Sequence, residues 1–442
     1  MIRAAAIHLP MWGAGLAAAA RLAGAGFRAW RGGGEGLAAL LGTSAGQREV
    51  FCVLRAFAPN IRIGRKLITA YENTGTAIVT RRSDVVEVLD READFAVVYE
   101  PKMRAITDGE NFFLGMQDGV EYQRDTSLMR LAARRDDVAR IVAPAAKAES
   151  EAIVAASAGR IDVPAELTRR VPARLVARYF GLPYQDEDKL IDWATLMFWY
   201  LFVDLKGEDS VVRPGLAAAA EARAWIDGCI AARKANPTAQ EDVLGRCLAL
   251  QAGGQQGMDD LAIRNNLIGL LIGLVPTLSK AAVHALSQLL DRPEALAQAQ
   301  AAARANDDTK LAEIVFEALR FDPVNPVIYR RALRDTEIAR GTRRRLRIPA
   351  GTMVLAANLS AMFDPMAMEA PGDFRPGRPW DDYILWGYGM HACFGGWINR
   401  TVVPAMLRPL LAKQGLRRAE GAAGRIDGRT PFPAHMTVLF DG

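Results

Sequence analysis

The sequence predicts a mainly α-helical protein with small peripheral β-sheets. Three observations carry that expectation. Long stretches place apolar residues at three-to-four spacing, strand-like pieces are few and far apart, and one glycine-rich loop near the C-terminus holds a lone cysteine. With 442 residues, 50% of them hydrophobic, the chain can bury a large core as one big domain or two ordinary ones. Nothing in it reads as an interdomain linker, so an Ala/Gly-rich arm over 1–49 and a single domain over 50–442 are expected. A net charge of +5 carries no polyanion signature, and no nucleic-acid partner is expected.

In chain order, the first 42 residues are rich in Ala and Gly. Arg3 followed by an apolar stretch to Ala20 has the outline of a signal peptide or anchor. His8 and Pro10 interrupt it and Arg21 ends it, so a loose arm or peripheral helix able to associate with a surface is expected. No other segment is expected to cross a membrane. Strand-like pieces cover 61–71 and 76–80. Helical periodicity covers 136–157, 214–235, 259–290 and 293–303, with good helix formers between the apolar positions. Further strand-like pieces cover 336–348 and 352–357, separated by the Pro349-Ala350-Gly351 turn. Arg343, Arg344, Arg345 and Arg347 read first as a solvated turn before a strand and second as a docking spot for an acidic partner. The four cysteines show no disulfide spacing, which fits a reducing, cytoplasmic compartment.

The 259–290 helix carries Asp259 and Asp260 at its positive end and the apolar run Leu267–Leu278 in its middle, the signature of a buried helix. Gly269, Ile272, Gly273 and Pro276 recur at helical spacing. Two glycines and a break on one face let something flat approach the backbone. Pro276 has no N–H and crowds the Ile272 carbonyl, so a kink and a freed polar backbone group are expected. Read alone, this is a glycine-lined packing face.

The second informative stretch is Trp386-Gly387-Tyr388-Gly389-Met390-His391-Ala392-Cys393-Phe394-Gly395-Gly396. Its glycines let the backbone turn tightly, come close to a ring and point amide N–H groups at a sulfur, which stabilises a thiolate. A buried core cysteine is the competing reading. So many glycines beside a histidine have little reason to exist as packing, and the loop is suited to presenting one thiolate to a flat metal cofactor. Zinc fails on ligand count. Cys52, Cys229 and Cys247 form no C-x-x-C pair, and His8, His284 and His435 are scattered.

The stretch resembles the haem-binding loop of the cytochrome P450 superfamily, whose pattern is an aromatic, two residues, Gly, one residue, Arg or His, one residue, Cys, one residue, Gly. Trp386 stands for the usual Phe, and Gly389, His391, Cys393 and Gly395 fall in register. The resemblance covers roughly 50–442. It implies a cytochrome P450-like fold, with haem b between the long central helix and the loop and Cys393 as the axial metal ligand. Gly387 and Phe394 shape the loop, and Gly269 and Gly273 become a groove beside the cofactor. Glu317-Ala318-Leu319-Arg320 resembles the family's Glu-x-x-Arg. The same spacing occurs at Glu121/Arg124, Glu166/Arg169 and Glu337/Arg340, and its place between the glycine helix and the cysteine loop selects Glu317. Phe374-Arg375-Pro376-Gly377-Arg378 resembles the downstream Phe-x-Pro-x-Arg segment, which implies a buried ion network of Glu317, Arg320 and Arg378. By register, Arg330 and His391 become propionate partners. Glu121-Tyr122-Gln123-Arg124 resembles the early helix that supplies a third contact. Thr126 stands where a basic residue is common, which leaves Tyr122, Arg124 and Arg130 as candidates.

One departure matters. Members that activate dioxygen usually carry an acid-alcohol pair after Ala-Gly-x, which relays protons during O–O cleavage. Here the residues are Ile272-Gly273-Leu274-Val275-Pro276-Thr277, and neither Val275 nor Pro276 carries a proton, which leaves Thr277 or water. The resemblance implies a monooxygenase oxidising a hydrophobic small molecule, such as a fatty acyl chain or terpenoid. Electrons would come from a ferredoxin-like partner and reductase, since the chain has no flavin or nicotinamide fingerprint. Val275 and Pro276 motivate the alternative of a peroxygenase or lipid-hydroperoxide isomerase that needs no reductant. A non-catalytic haem-binding protein is a third reading. The aromatic runs Leu196–Phe202 and Phe112–Leu114 read as helix core or as pocket lining. In the latter case Phe112, Phe113, Phe198, Ile272 and Phe432 meet the substrate.

Overall fold

The computed structural model describes residues 2–32, 42–427 and 430–441, and it is mainly helical with short strands. Residues 33–41 of the expected arm lie outside the described residues. The chain forms two compact units: Met1–Val97 with Phe316–Cys393, and Val98–Val315 with Phe394–Gly442.

The first unit is built on a five-stranded sheet in the order Asn60–Ile63, Thr76–Val79, Met353–Ala356, Ile328–Ala332, Phe95–Ala96. Thr76–Val79 and Met353–Ala356 run parallel, with Val79 opposite Ala356, and the other pairs are antiparallel. Ala77, Val79, Val354 and Ala356 are fully buried with Val85, Val88 and Leu89 of the Arg82–Asp90 helix, so small and β-branched strand residues meet an apolar helix stripe. The strand expected over 61–71 ends at Ile63. Beyond it the Asn73 side chain takes over the backbone: Nδ2 donates to Ile68 O at 2.6 Å and Tyr71 O at 2.8 Å, while Oδ1 accepts from Gly75 N–H. The strand expected over 336–348 is a hairpin, Thr336–Ile338 against Leu346–Ile348, because Ala339 and Gly341 turn the chain at positive φ. In that hairpin Arg345 and Arg347 pair with Glu337, and Arg344 pairs with Asp84.

Ile2–Gly32 is one helix, and it packs on Ser44–Phe57. Met11 and Ala18 are buried in that contact, and Gly15 permits it, since a Cβ there would stand 2.5 Å from the Ala56 Cβ. The peripheral-helix form of the arm is the one observed.

In the second unit, Asp260–Leu290 runs unbroken through Pro276. Asp259 caps it, Oδ1 accepting the Ala262 N–H at 2.8 Å. It packs against Glu187–Phe198, Asp209–Ala235 and Gly396–Leu411. By length and composition this helix could cross a membrane, contrary to the expectation that no such segment exists. Burial of 72% of its most apolar window makes it a core helix instead. The 136–157 stretch begins as a short π-helix over Val138–Val142 and continues as the α-helix Ala143–Ala156. The 214–235 helix starts earlier, at Asp209, and carries Pro214 inside it. Pro293–Ala305 lies where its periodicity placed it.

Candidate active site

In the first unit, the stretch from Trp386 to Cys393 is a turn closed by its own backbone. Cys393 N–H donates to Trp386 O at 2.7 Å and Ala392 N–H to Gly389 O at 3.1 Å. Gly387 and Gly389 supply φ of +80° and +69°. A Cβ on Gly389 would also press the Leu89 carbonyl at 3.0 Å, and the neighbouring Met390 N–H is fixed by Glu92 Oε1 at 3.0 Å. The Trp386 ring is held by Phe316 and Trp380 at centroid distances of 5.2 and 6.2 Å. His391 is half-buried and Cys393 is exposed. Burial pushes the Cys229 thiol up to about 11 and the Cys247 thiol up to about 12, so both stay protonated near neutrality.

The same unit brings Glu317, Arg320 and Arg378 together. Arg320 forks onto the carboxylate, Nη2 to Oε1 at 2.7 Å and Nε to Oε2 at 3.0 Å, with both side chains fully buried. Arg378 Nε reaches Oε1 at 3.3 Å. Sequence reasoning missed two donors that complete the carboxylate: the Arg375 N–H at 2.9 Å and the Tyr383 hydroxyl at 3.0 Å. Burial, then the Glu317 charge, pushes the Tyr383 phenol far above its ordinary value and keeps it a donor. Nothing in the sequence marks Tyr383. Arg330 is buried in its strand opposite Val354, and its Nη1 donates to Tyr329 O at 3.1 Å.

In the second unit, the Asp260–Leu290 helix carries one open stripe. Gly273 is exposed in the middle of a buried run, and a Cβ there would meet nothing within 4 Å. Thr277 lies one turn on and is partly exposed, but its hydroxyl donates back to Gly273 O and, at 3.3 Å, to Leu274 O. Val275, Pro276 and Ile272 are buried. Gly269 is accounted for differently from the expected haem contact, because a Cβ there would run into the Phe112 ring. From that notch a file of rings continues, Phe112 to Phe113 at 6.3 Å and Phe113 to Phe394 at 5.1 Å, and the Arg130 guanidinium lies 5.2 Å over Phe394. Gly395 is the N-cap residue of Gly396–Leu411. Arg130 is thus the early-helix cation beside the loop's aromatic. Arg124 is diverted onto Asp125 at 2.7 Å, and Tyr122 is buried. A second aromatic group joins Phe198 to Phe202 at 4.8 Å and to Phe432 at 5.6 Å.

These residues fit a thiolate-ligated haem. The loop cysteine is exposed while two of the other thiols are held protonated, and in the same unit as the loop the buried Arg330 guanidinium suits a propionate. In the first unit Cys393 would hold the iron, and Arg330 and His391 would be hydrogen-bond partners for the haem propionates. The fold and site thereby define a helical haem-thiolate protein.

A family model described as Cytochrome P450 matches residues 189–411, half of the chain. The chain is 27% identical over 246 residues to the cyclomarin C epoxidase of Salinispora arenicola, covering 55% of this chain and 58% of that protein. It is 27% identical over 252 residues to the erythromycin C-12 hydroxylase of Saccharopolyspora erythraea, covering 55% and 59%. A shorter match, 33% over 111 residues and 9% of the relative, reaches a bifunctional dioxygenase–epoxy alcohol synthase of Fusarium oxysporum. The matches thus span less than two thirds of each relative's length. Among solved structures, CalO2 superposes with a TM-score of 0.71 at 24% identity over 88% of this chain and 95% of that one. P450BioI gives 0.75 at 19% identity over 91% and 100%. The chain belongs to the cytochrome P450 family, a family of haem-thiolate oxidoreductases, and its cofactor is haem b.

Proposed function

We propose that residues 50–442 act as one haem-thiolate monooxygenase domain that oxidises an apolar small molecule in the cytoplasm. The observation that carries this reading is the pairing of an open glycine stripe with buried aromatic groups at Phe112–Phe113 and Phe198–Phe432. When bound, the haem supplies oxygen-transfer chemistry at an iron held by Cys393. The chain's own residues orient an apolar substrate against the stripe and exclude water. Thr277 Oγ1 is the hydroxyl nearest Gly273 in the helix, and it must swing off Gly273 O to move a proton. Electrons come from a ferredoxin-like protein and its reductase. The surface suited to an acidic partner begins after the loop, where Arg135 stacks on exposed Trp397 at 3.6 Å and Arg400 lies 5.7 Å from the same ring.

Phe198→Ala empties the ring that meets both Phe202 and Phe432. Weaker binding of apolar ligands by about tenfold is expected in spectral titrations, equivalent to about 1.4 kcal/mol. If Phe198→Ala and Phe113→Ala leave every ligand's affinity unchanged, the pocket assignment is removed.

A second reading is favoured by Val275 and Pro276 together with the Thr277 back-bond: an enzyme of organic hydroperoxides. An epoxy alcohol has the same elemental composition as an unsaturated hydroperoxide, so that isomerisation consumes no external electrons. The Fusarium relative is named in part for epoxy alcohol synthesis. The experiment that separates the two mixes haem-loaded protein with a polyunsaturated fatty acid hydroperoxide, without reductant, beside free haem. Survival of the hydroperoxide supports the electron-driven monooxygenase. Fast, regioselective consumption replaces it with the second reading.

A further inference from the structure

Asn266 is a polar residue that packing does not explain. It is 2% exposed, and among the described residues its Oδ1 accepts no hydrogen bond. Leu267, Ile268, Leu271 and Ile272 around it in the helix are buried. Its neighbour Asn265 is accounted for, since Oδ1 there accepts from Arg264 Nε at 3.2 Å. An unmet amide carbonyl in an apolar interior costs stability, and a leucine of the same shape would avoid that cost. Helical spacing aligns Asn266 with Leu270, Gly273 and Thr277, at i, i+4, i+7 and i+11. That is the stripe that opens at Gly273 and is partly exposed at Leu270 and Thr277. The Asn266 end is covered: Arg264 Nη2 donates to Thr107 O at 2.9 Å, and Phe112 fills the notch at Gly269.

We propose that Asn266 Oδ1 accepts a hydrogen bond from a hydroxyl or amide N–H of the substrate, making Asn266 a specificity-determining residue. Seven helical residues separate it from Gly273, about 10 Å along the axis. The substrate is then an apolar molecule with a hydrogen-bond donor about 10 Å from the carbon lying against Gly273, rather than a plain hydrocarbon chain. This rests on the pocket described under the proposed function.

Two probe pairs differ by one donor: dodecanol with its methyl ether, and testosterone with androstenedione. Each is titrated spectrally into haem-loaded wild type and Asn266→Leu. The wild type is expected to prefer the donor-bearing member of at least one pair by about tenfold. In Asn266→Leu that ratio falls to about one, through loss of the alcohol's affinity. The variant is also expected to unfold at a higher temperature than wild type, because the unmet carbonyl is gone. Persistence of the preference in the variant overturns the proposal, as does a wild type that makes no distinction within either pair. A destabilised variant overturns it too, since the amide is then satisfied inside the folded protein. If the carbon monoxide spectrum of reduced wild type lacks the thiolate signature, the underlying haem-thiolate reading fails. With that signature present, the other outcomes bear on Asn266 alone.

Discussion

Replacing Cys393 by alanine is expected to abolish thiolate ligation: the carbon monoxide difference spectrum of the reduced protein loses its thiolate signature and turnover falls to the level of free haem. The structure makes this a clean test, because the loop is held by backbone contacts that an alanine also makes. The turn is made by the Cys393 N–H to Trp386 O bond, by the left-handed backbone at Gly387 and Gly389, and by the Glu92 contact to Met390. All of these survive the substitution. Cys393 is exposed, so apoprotein stability should change by no more than about 0.5 kcal/mol, the usual range for surface sites. Cys229→Ser and Cys247→Ala serve as controls, since burial disfavours the ionised form of both thiols and neither substitution should alter the spectrum. An unchanged spectrum in Cys393→Ala would sink the haem-thiolate site.

The ligand loop was legible because its requirements are local. Tight turns at Gly387 and Gly389 and an exposed thiol follow from residue types a few positions apart. The buried helix was legible for a similar reason, since acidic residues at its start and an unbroken apolar run set both its ends and its burial. What stayed hidden depends on partners distant in sequence. Gly269 looked like a haem contact, and only the fold shows Phe112 in its notch. Arg124 and Arg130 were equivalent on paper, yet one is taken by Asp125 and the other lies over Phe394. The strand-like run 64–71 failed because Asn73 bonds its backbone, a competition that composition does not reveal. Asn266 passed unnoticed inside a helix whose apolar pattern it hardly disturbs. Its meaning lies in an unmet hydrogen bond, which periodicity cannot display.

Glu317→Ala is expected to be the most destabilising single change in the first unit, by about 3–5 kcal/mol, because it strands two buried cations without their anion. Arg320 keeps backbone acceptors at Met362, Pro371 and Asp373, but these are dipoles and cannot neutralise a guanidinium with no water around it. Glu317→Gln preserves shape but keeps only one acceptor oxygen, so it can still accept from Arg375 N–H or from the Tyr383 hydroxyl and not from both, and it should cost less than alanine. Tyr383→Phe removes one charge-assisted donor and should cost about 1.5–3 kcal/mol. Urea unfolding of the three variants checks the order, and a Glu317→Ala cost below about 1 kcal/mol would mean that the network does not hold the fold. The effect should extend to the cofactor. Glu317 follows Phe316, whose ring packs on Trp386 at the head of the ligand loop, and Tyr383 lies three residues before that tryptophan. Loosening the carboxylate therefore loosens Phe316 and the segment that leads into Trp386, and haem loss from Glu317→Ala should be faster than from wild type under conditions where both remain folded.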